Sequence, residues 1–259
     1  MTGRLNALFG GWRRRPPLRR RWTELAANAG AMPLSERRAL GEEARRLRDD
    51  LDLFLTAARR QPNGAPPALP PGTDWSWRPL PFQSPLPSRG LAAPASGAGL
   101  APGIAVWHDL PDAPLVVAQH PGQLDNRLPP FALHMESFAP PGRGYVALTF
   151  DLPDEALAGL DTSFILHVAT VTQAEAPLTA YLRLNIEHGP DTERVVRDLD
   201  PATAAGRPAR EETGFDLGFV PMVPRRLVKI WLDLIVERPG ANALRLHDLV
   251  ISRHRRADV

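Results

Sequence analysis

The densest set of side chains able to do chemistry lies in RLNIEHGPDTE, residues 183–193: Arg183, Asn185, Glu187, His188, Asp191 and Glu193. Alternate residues of a strand point to opposite faces. In a strand over 178–188, Arg183, Asn185 and Glu187 share one face, and Leu182, Leu184 and Ile186 line the other. A guanidinium, an amide and a carboxylate on one face suit a hydroxyl-rich ligand such as a sugar, given an aromatic ring to stack on its C–H surface. Trp75 and Trp77 in DWSWRP and Trp231 in VKIWLDLIVE are the candidate rings. In the last stretch Val228, Ile230, Leu232, Leu234 and Val236 alternate with Lys229, Trp231, Asp233, Ile235 and Glu237. Trp231 therefore faces away from the aliphatic row. The same residues also have a plain structural reading. Asn185 and His188 then satisfy loop backbone, Asp191 caps a turn, and Trp231 lies under the N-terminal segments.

Two further groups stand out. Gln119, His120, Gln123, Asp125 and Asn126 form a polar loop cluster suited to a hard cation or to a simple turn. WRRRPPLRRRW places Arg13, Arg14, Arg15, Arg19, Arg20 and Arg21 between Trp12 and Trp22, a tract for an anionic surface or an unstructured basic tail. Nothing in it specifies a nucleic-acid groove or base. Catalytic signatures are missing: there is no GxxxxGK[ST], GxGxxG, GxSxG or HExxH, and the histidines lack helix-face metal spacing. The expectation is a non-catalytic protein with no cofactor and no metal.

Composition narrows the classes. The chain has 259 residues and no cysteine, so disulfides, thiolate metal sites and a cysteine nucleophile are out. Its net charge is +2, yet residues 1–22 hold seven arginines and no acid, leaving 2 − 7 = −5 for the rest. The basic character belongs to the N-terminus. No run reaches the roughly 20 apolar residues of a membrane span or forms a secretory signal. A cytoplasmic protein is expected, peripheral to a membrane if the basic tract engages one.

The elements that must position these groups follow in order. Residues 1–33 read as a basic, unstructured tail. Residues 34–60 read as an amphipathic helix with Ser35 as N-cap. Its stripe of Leu40, Ala44, Leu47, Leu51, Phe54, Leu55 and Ala58 could dock on the domain or self-associate. Residues 61–103 carry 11 prolines and six glycines, so they read as a connector without regular structure, strapped onto the domain by Trp75, Trp77, Leu80 and Phe82. Residues 104–259 show strand patterns at 104–108, 115–119, 131–138, 144–152, 163–172, 178–188, 194–198, 213–220, 228–237 and 243–252. Little helix intervenes. The fold class is therefore mainly β: an antiparallel, jelly-roll-like β-sandwich of about 8–10 strands with an N-terminal α-helix and a Pro-rich connector. The last two strands read as a hairpin around RPGAN, with a β-bulge at His247 and Asp248 that restores the apolar parity.

RLNIEHGPDTE, residues 231–258, DWSWRP and TFDLP together resemble a bacterial family known only as a domain of unknown function. The likeness covers most of residues 70–259 and implies no activity or catalytic residue. More loosely, the strand order is similar to carbohydrate-binding and galactose-binding-like jelly rolls. That resemblance implies a binding module for a glycan or glycolipid headgroup, using Trp75, Trp77, Arg183, Asn185, Glu187, His188, Asp191 and Trp231. The rival expectations are an assembly protein held to a membrane or partner by its basic tract and helix, and a sandwich-fold glycan hydrolase.

Overall fold

A computed structural model describes residues 18–59, 69–122, 128–200 and 208–256. The chain divides into two units, Met1–Leu51 and Asp52–Val259.

In the first unit α1 spans Leu18–Asn28, and α2 begins at Leu34 and runs to Arg59. Part of the expected basic tail is thus helical: LRRRWTELAAN contains no proline or glycine to stop it. Because α2 starts before Ser35, that serine sits inside the first turn and is not the cap. Arg20 pairs with Glu24 and Arg21 with Glu43. Leu51 and Phe54 are exposed on α2.

The second unit is a sandwich of two antiparallel sheets. Its strands are β1 (Thr73–Trp77), β2 (Gly90–Ala92), β3 (Ala98–Ala101), β4 (Ile104–His108), β5 (Leu115–Pro121), β6 (Phe131–Phe138) and β7 (Tyr145–Asp151). Then come β8 (Phe164–Ala174), β9 (Thr179–His188), β10 (Asp191–Leu199), β11 (Ala209–Asp216), β12 (Leu227–Glu237) and β13 (Ala241–Arg255). One sheet runs β11-β8-β13-β6-β5-β2, with β1 also paired to β13; the other runs β10-β9-β12-β7-β4-β3. Two one-turn helices, α3 (Leu80–Gln83) and α4 (Asp154–Leu157), join strands.

Alternation explains the core. Leu182, Leu184 and Ile186 of β9, Ile230, Leu232 and Leu234 of β12, and Val146, Leu148 and Phe150 of β7 face Leu166, Leu246, Leu249 and Ile251 across one buried cluster. The expected bulge is present: the β13–β8 register shifts between Leu246 and Asp248. It keeps Leu244 and Leu246 on one side of the slip, and Leu249 and Ile251 on the other, all in the core. It also aims Asp248 at Arg78, whose Nε and Nη2 donate at 2.8 and 3.0 Å.

Two expectations are corrected. The connector is not irregular throughout, because β1, β2 and β3 lie within it and extend both sheets. Trp75 and Trp77 alternate with exposed Asp74 and Ser76, and once β1 pairs with β13 both rings pack on the core. The last two strands are not a hairpin either. β12 pairs with β7 and β9, while β13 pairs with β8, β6 and β1. Arg238 and Gly240 adopt φ values of 47° and 58°, turning the chain from one sheet to the other. Two strongly apolar strands bury more by facing each other across the roughly 10 Å gap between sheets than by pairing edge to edge. Gln119 is structural, its side chain bonding Leu86 N, Pro81 O and Ser84 O. Gln123, Asp125 and Asn126 lie outside the described residues.

Candidate functional site

The outer face of the β10-β9-β12-β7-β4-β3 sheet follows from parity. Once Val146, Leu148 and Phe150 point inward, Tyr145, Ala147, Thr149 and Asp151 must point out. In β4, inward Ile104 and Val106 leave Ala105 and Trp107 outside. Register aligns these strands into rows. Arg183 is opposite Asp233, Asp233 opposite Thr149, Thr149 opposite Ala105, and Ala105 opposite Gly99. One row along, Asn185, Trp231 and Asp151 line up; on the other side Ile235, Ala147 and Trp107 do.

The rows enclose a groove of about 530 Å³. Its floor is small: Gly99, Ala101, Gly103, Ala105, Ala147 and Thr149. Exposed Trp107 and Tyr145 stand at one end, and Arg183, Lys229, Asp151 and Trp231 at the other. Two pleat repeats and two strand spacings separate Trp107 from Trp231, about 16 Å.

Asp233 is the hub of this face. It is 2% exposed and accepts from Thr149 Oγ1 at 2.6 Å, Arg183 Nε and Nη2 at 3.0 and 2.9 Å, and Asn185 Nδ2 at 2.8 Å. These bonds lock the Arg183 guanidinium against the sheet while part of it faces the groove. Lys229 Nζ lies 2.8 Å from Asp151 Oδ1 and 5.5 Å from the centroid of the Trp231 ring. Two cations and two carboxylates therefore balance in the groove. Beside it, Tyr181 donates to Glu237 Oε1 at 3.2 Å. Burial, and then the Glu237 carboxylate, push the Tyr181 phenol above its ordinary range. It is a hydrogen-bond donor at neutral pH.

The residues singled out by sequence divide clearly. Arg183 and Trp231 line the groove, and Asn185 is buried in the bonds beneath it. Glu187 lies opposite Lys229 at the groove's margin. His188 is buried, its Nε2 3.8 Å from Glu193, and Asp191 is exposed at the start of β10; neither lines the groove. Trp75 and Trp77 belong to the other sheet. Arg19 lies on α1, Arg20 and Arg21 are exposed there, and Arg13, Arg14 and Arg15 lie outside the described residues. Trp107, Tyr145, Thr149, Asp151, Lys229 and Asp233 were missed as a site. The signal for them was the same alternation used for β9 and β12, applied to β4 and β7.

Among solved structures, the enzymatically active domain of tailspike protein 4 from bacteriophage CBA120 is similar at 6% identity and a TM-score of 0.41; the match covers 60% of this chain and 19% of that one. The chain thus spans about a fifth of that protein. The CBM22-1 xylan-binding domain of Paenibacillus barcinonensis Xyn10C matches at 9% identity and a TM-score of 0.39, over 62% of this chain and 92% of that one. A family 11 carbohydrate-binding module from Clostridium thermocellum, in complex with a β-1,3-1,4-mixed-linked tetrasaccharide, gives 9%, 0.39, 63% and 94% respectively. No curated protein sequence matches significantly. The match that reaches the whole sequence is to a family model: over residues 1–259, basic N-terminus included, the chain belongs to DUF6478, a family of unknown function.

Proposed function

We propose that the protein is a non-catalytic glycan-binding module and that its ligand lies in the groove over β9, β12, β7, β4 and β3. The observation that carries this reading is the groove's make-up. Trp107, Tyr145 and Trp231 flank a floor of glycine, alanine and threonine, with Arg183, Lys229 and Asp151 beside it. Aromatic rings stack on the C–H faces of sugars, and charged planar groups bind pairs of hydroxyls. The small floor lets a flat ligand sit close to the sheet. Both groove carboxylates are engaged, Asp233 by three side chains and Asp151 by Lys229, so they serve to orient the cations and not to cleave a bond.

The balance of charge favours neutral chains over polyanions. Affinity electrophoresis and calorimetry against soluble neutral polysaccharides test this, with Trp107→Ala and Trp231→Ala as probes. Each substitution is expected to weaken binding about tenfold, the loss of a stacked ring and its buried area. Unchanged affinity in both variants would place the ligand elsewhere, and no binding to any glycan would end the reading.

A further inference from the structure

The connection between β11 and β12 has a construction that glycan binding does not use. Residues 217–226, LGFVPMVPRR, cross from one sheet to the other, and Leu227 and Val228 open β12. Leu217, Val220 and Met222 are buried and anchor the loop. Phe219, Val223 and Val228 point outward, Phe219 with 79% of its surface exposed, the most of any large hydrophobic residue among those described. The loop is also fixed by its own backbone: Val220 N bonds Leu217 O, Met222 N bonds Val220 O, Arg226 N bonds Val223 O, and Arg226 O accepts from Gly189 N. Two apolar tips, Phe219 and Val223, are thus held out by a preformed frame, and Val228 is exposed where β12 begins. Single exposed hydrophobics are ordinary on a surface, but a cluster on one anchored loop is not.

Charge points to the partner. From Leu217 to Leu232 there is no acidic residue, while Arg225, Arg226 and Lys229 are cations. Arg225 and Arg226 are exposed, and among the described residues neither pairs with a carboxylate. Asp216, next to the loop, is already engaged by Arg256 Nε at 3.2 Å, and the Arg256 guanidinium lies 5.3 Å from the Phe219 ring centroid. Apolar tips ringed by cations need a partner that is anionic at its surface and apolar just beneath, which is the layering of an anionic lipid leaflet.

We propose that the 217–226 loop docks the sandwich onto an anionic lipid surface. Phe219 and Val223 enter the headgroup–acyl boundary, and Arg225 and Arg226 bind phosphate at its level. Val228 leads directly into Lys229 and Trp231, so the docked loop brings the groove's tryptophan–lysine end to the membrane surface.

The test uses the full chain, whose lack of native cysteine allows one label at Val223→Cys with an environment-sensitive nitrobenzoxadiazole probe. With phosphatidylcholine vesicles containing phosphatidylglycerol, probe emission is expected to rise and shift to the blue, with no response to phosphatidylcholine alone. In vesicle sedimentation, Phe219→Ser with Val223→Ser is expected to weaken binding at least tenfold. Arg225→Ser and Arg226→Ser are expected to weaken it roughly fivefold each. Sedimentation with a silent probe, or unchanged binding by the loop variants, would assign attachment to another part of the chain and overturn the proposal. So would no vesicle binding at all, or a probe response to protein concentration without lipid, which would make the loop a protein interface.

Discussion

Replacing Asp233 with asparagine is expected to cost about 2–3 kcal/mol of folding stability. The carboxylate is buried and accepts four hydrogen bonds from three side chains. Removing one member of a fully buried ion pair costs about 3–5 kcal/mol, because the remaining charge is left uncompensated. The Arg183 side chain is 36% exposed, so water takes up part of its lost solvation, and the figure is discounted accordingly. Asparagine also turns one acceptor into a donor, facing Thr149, Arg183 or Asn185, all of which already donate. For a domain of this size the loss corresponds to about 5–10 °C in Tm. Urea unfolding followed by circular dichroism measures it, and adding Arg183→Met to the asparagine variant is expected to recover about 1–2 kcal/mol by removing the stranded charge. A variant within about 0.5 kcal/mol of the wild type, with the same denaturant dependence, would show that Asp233 does not organise the face.

A pH dependence follows from the other sheet, where His120 and His134 stack with centroids 4.1 Å apart and Arg245 lies opposite His134. Burial, then the charges of His120, Arg245 and His247, lower His134 to about 4, and burial also lowers His167 and His247. Below pH about 6.5 the unfolded chain gains protons that the folded one refuses, so stability falls as pH drops from about 6.5 to about 4, by about 1–2 kcal/mol for half-buried His134. Urea midpoints at pH 7 and pH 5 check this: His134→Gln is expected to shrink the difference, and an equal difference in both proteins would remove His134 as a cause. On α2, exposed Leu51 and Phe54 predict self-association. Sedimentation equilibrium of Leu51→Ser with Phe54→Ser is then expected to show a loss of oligomer relative to the wild type, and an unchanged mass would dismiss that stripe.

Much of the sandwich could be read from the chain because alternation is local. Each of the ten strand patterns between residues 104 and 252 overlaps an observed strand, although 213–220 runs past the end of β11 at Asp216 into a 3-10 turn at Leu217–Phe219, and even the bulge near His247 shows as a break in parity. What could not be read was pairing. The RPGAN segment and two alternating strands look the same whether the strands pair as a hairpin or arch between sheets. That choice is made by where β7, β9, β8 and β6 find partners far away in sequence. The connector failed differently. Its prolines argued against strands, yet β1 needs only five residues, and long-range bonds from the strand and its flank hold it: Arg253 grips Asp74 at 2.9 and 3.1 Å, and Arg78 grips Asp248. The same pairing packed the DWSWRP rings, partly buried, against the core of the other sheet. At the candidate site, Arg183 and Trp231 were legible because each sits in a long, regular strand. Trp107 was not, since the five residues of β4 carry little pattern, and nothing local shows that Trp107 shares a face with Trp231.

The two outer faces of the sandwich differ in the size of their side chains. Only the inward residues of each strand are constrained by the core, so the outward ones are free to vary in size. On the β8, β13 and β6 side they are Ala169, Val171, Val250, His134, His247 and Arg245, and several are nearly buried by their neighbours. On the β7, β4 and β3 side they are Ala147, Thr149, Ala105, Gly99 and Ala101, small side chains that lie low between large rings. A groove results with only the tight β3–β4 turn at Gly103 contributed from outside the strands. A change there that adds bulk, such as Gly99→Leu, where a Cβ would meet no atom within 4 Å, is therefore expected to fill the groove and abolish binding while leaving the melting temperature within a few degrees. Calorimetry and thermal unfolding on the same sample decide it, and binding retained by that variant would move the ligand off this face.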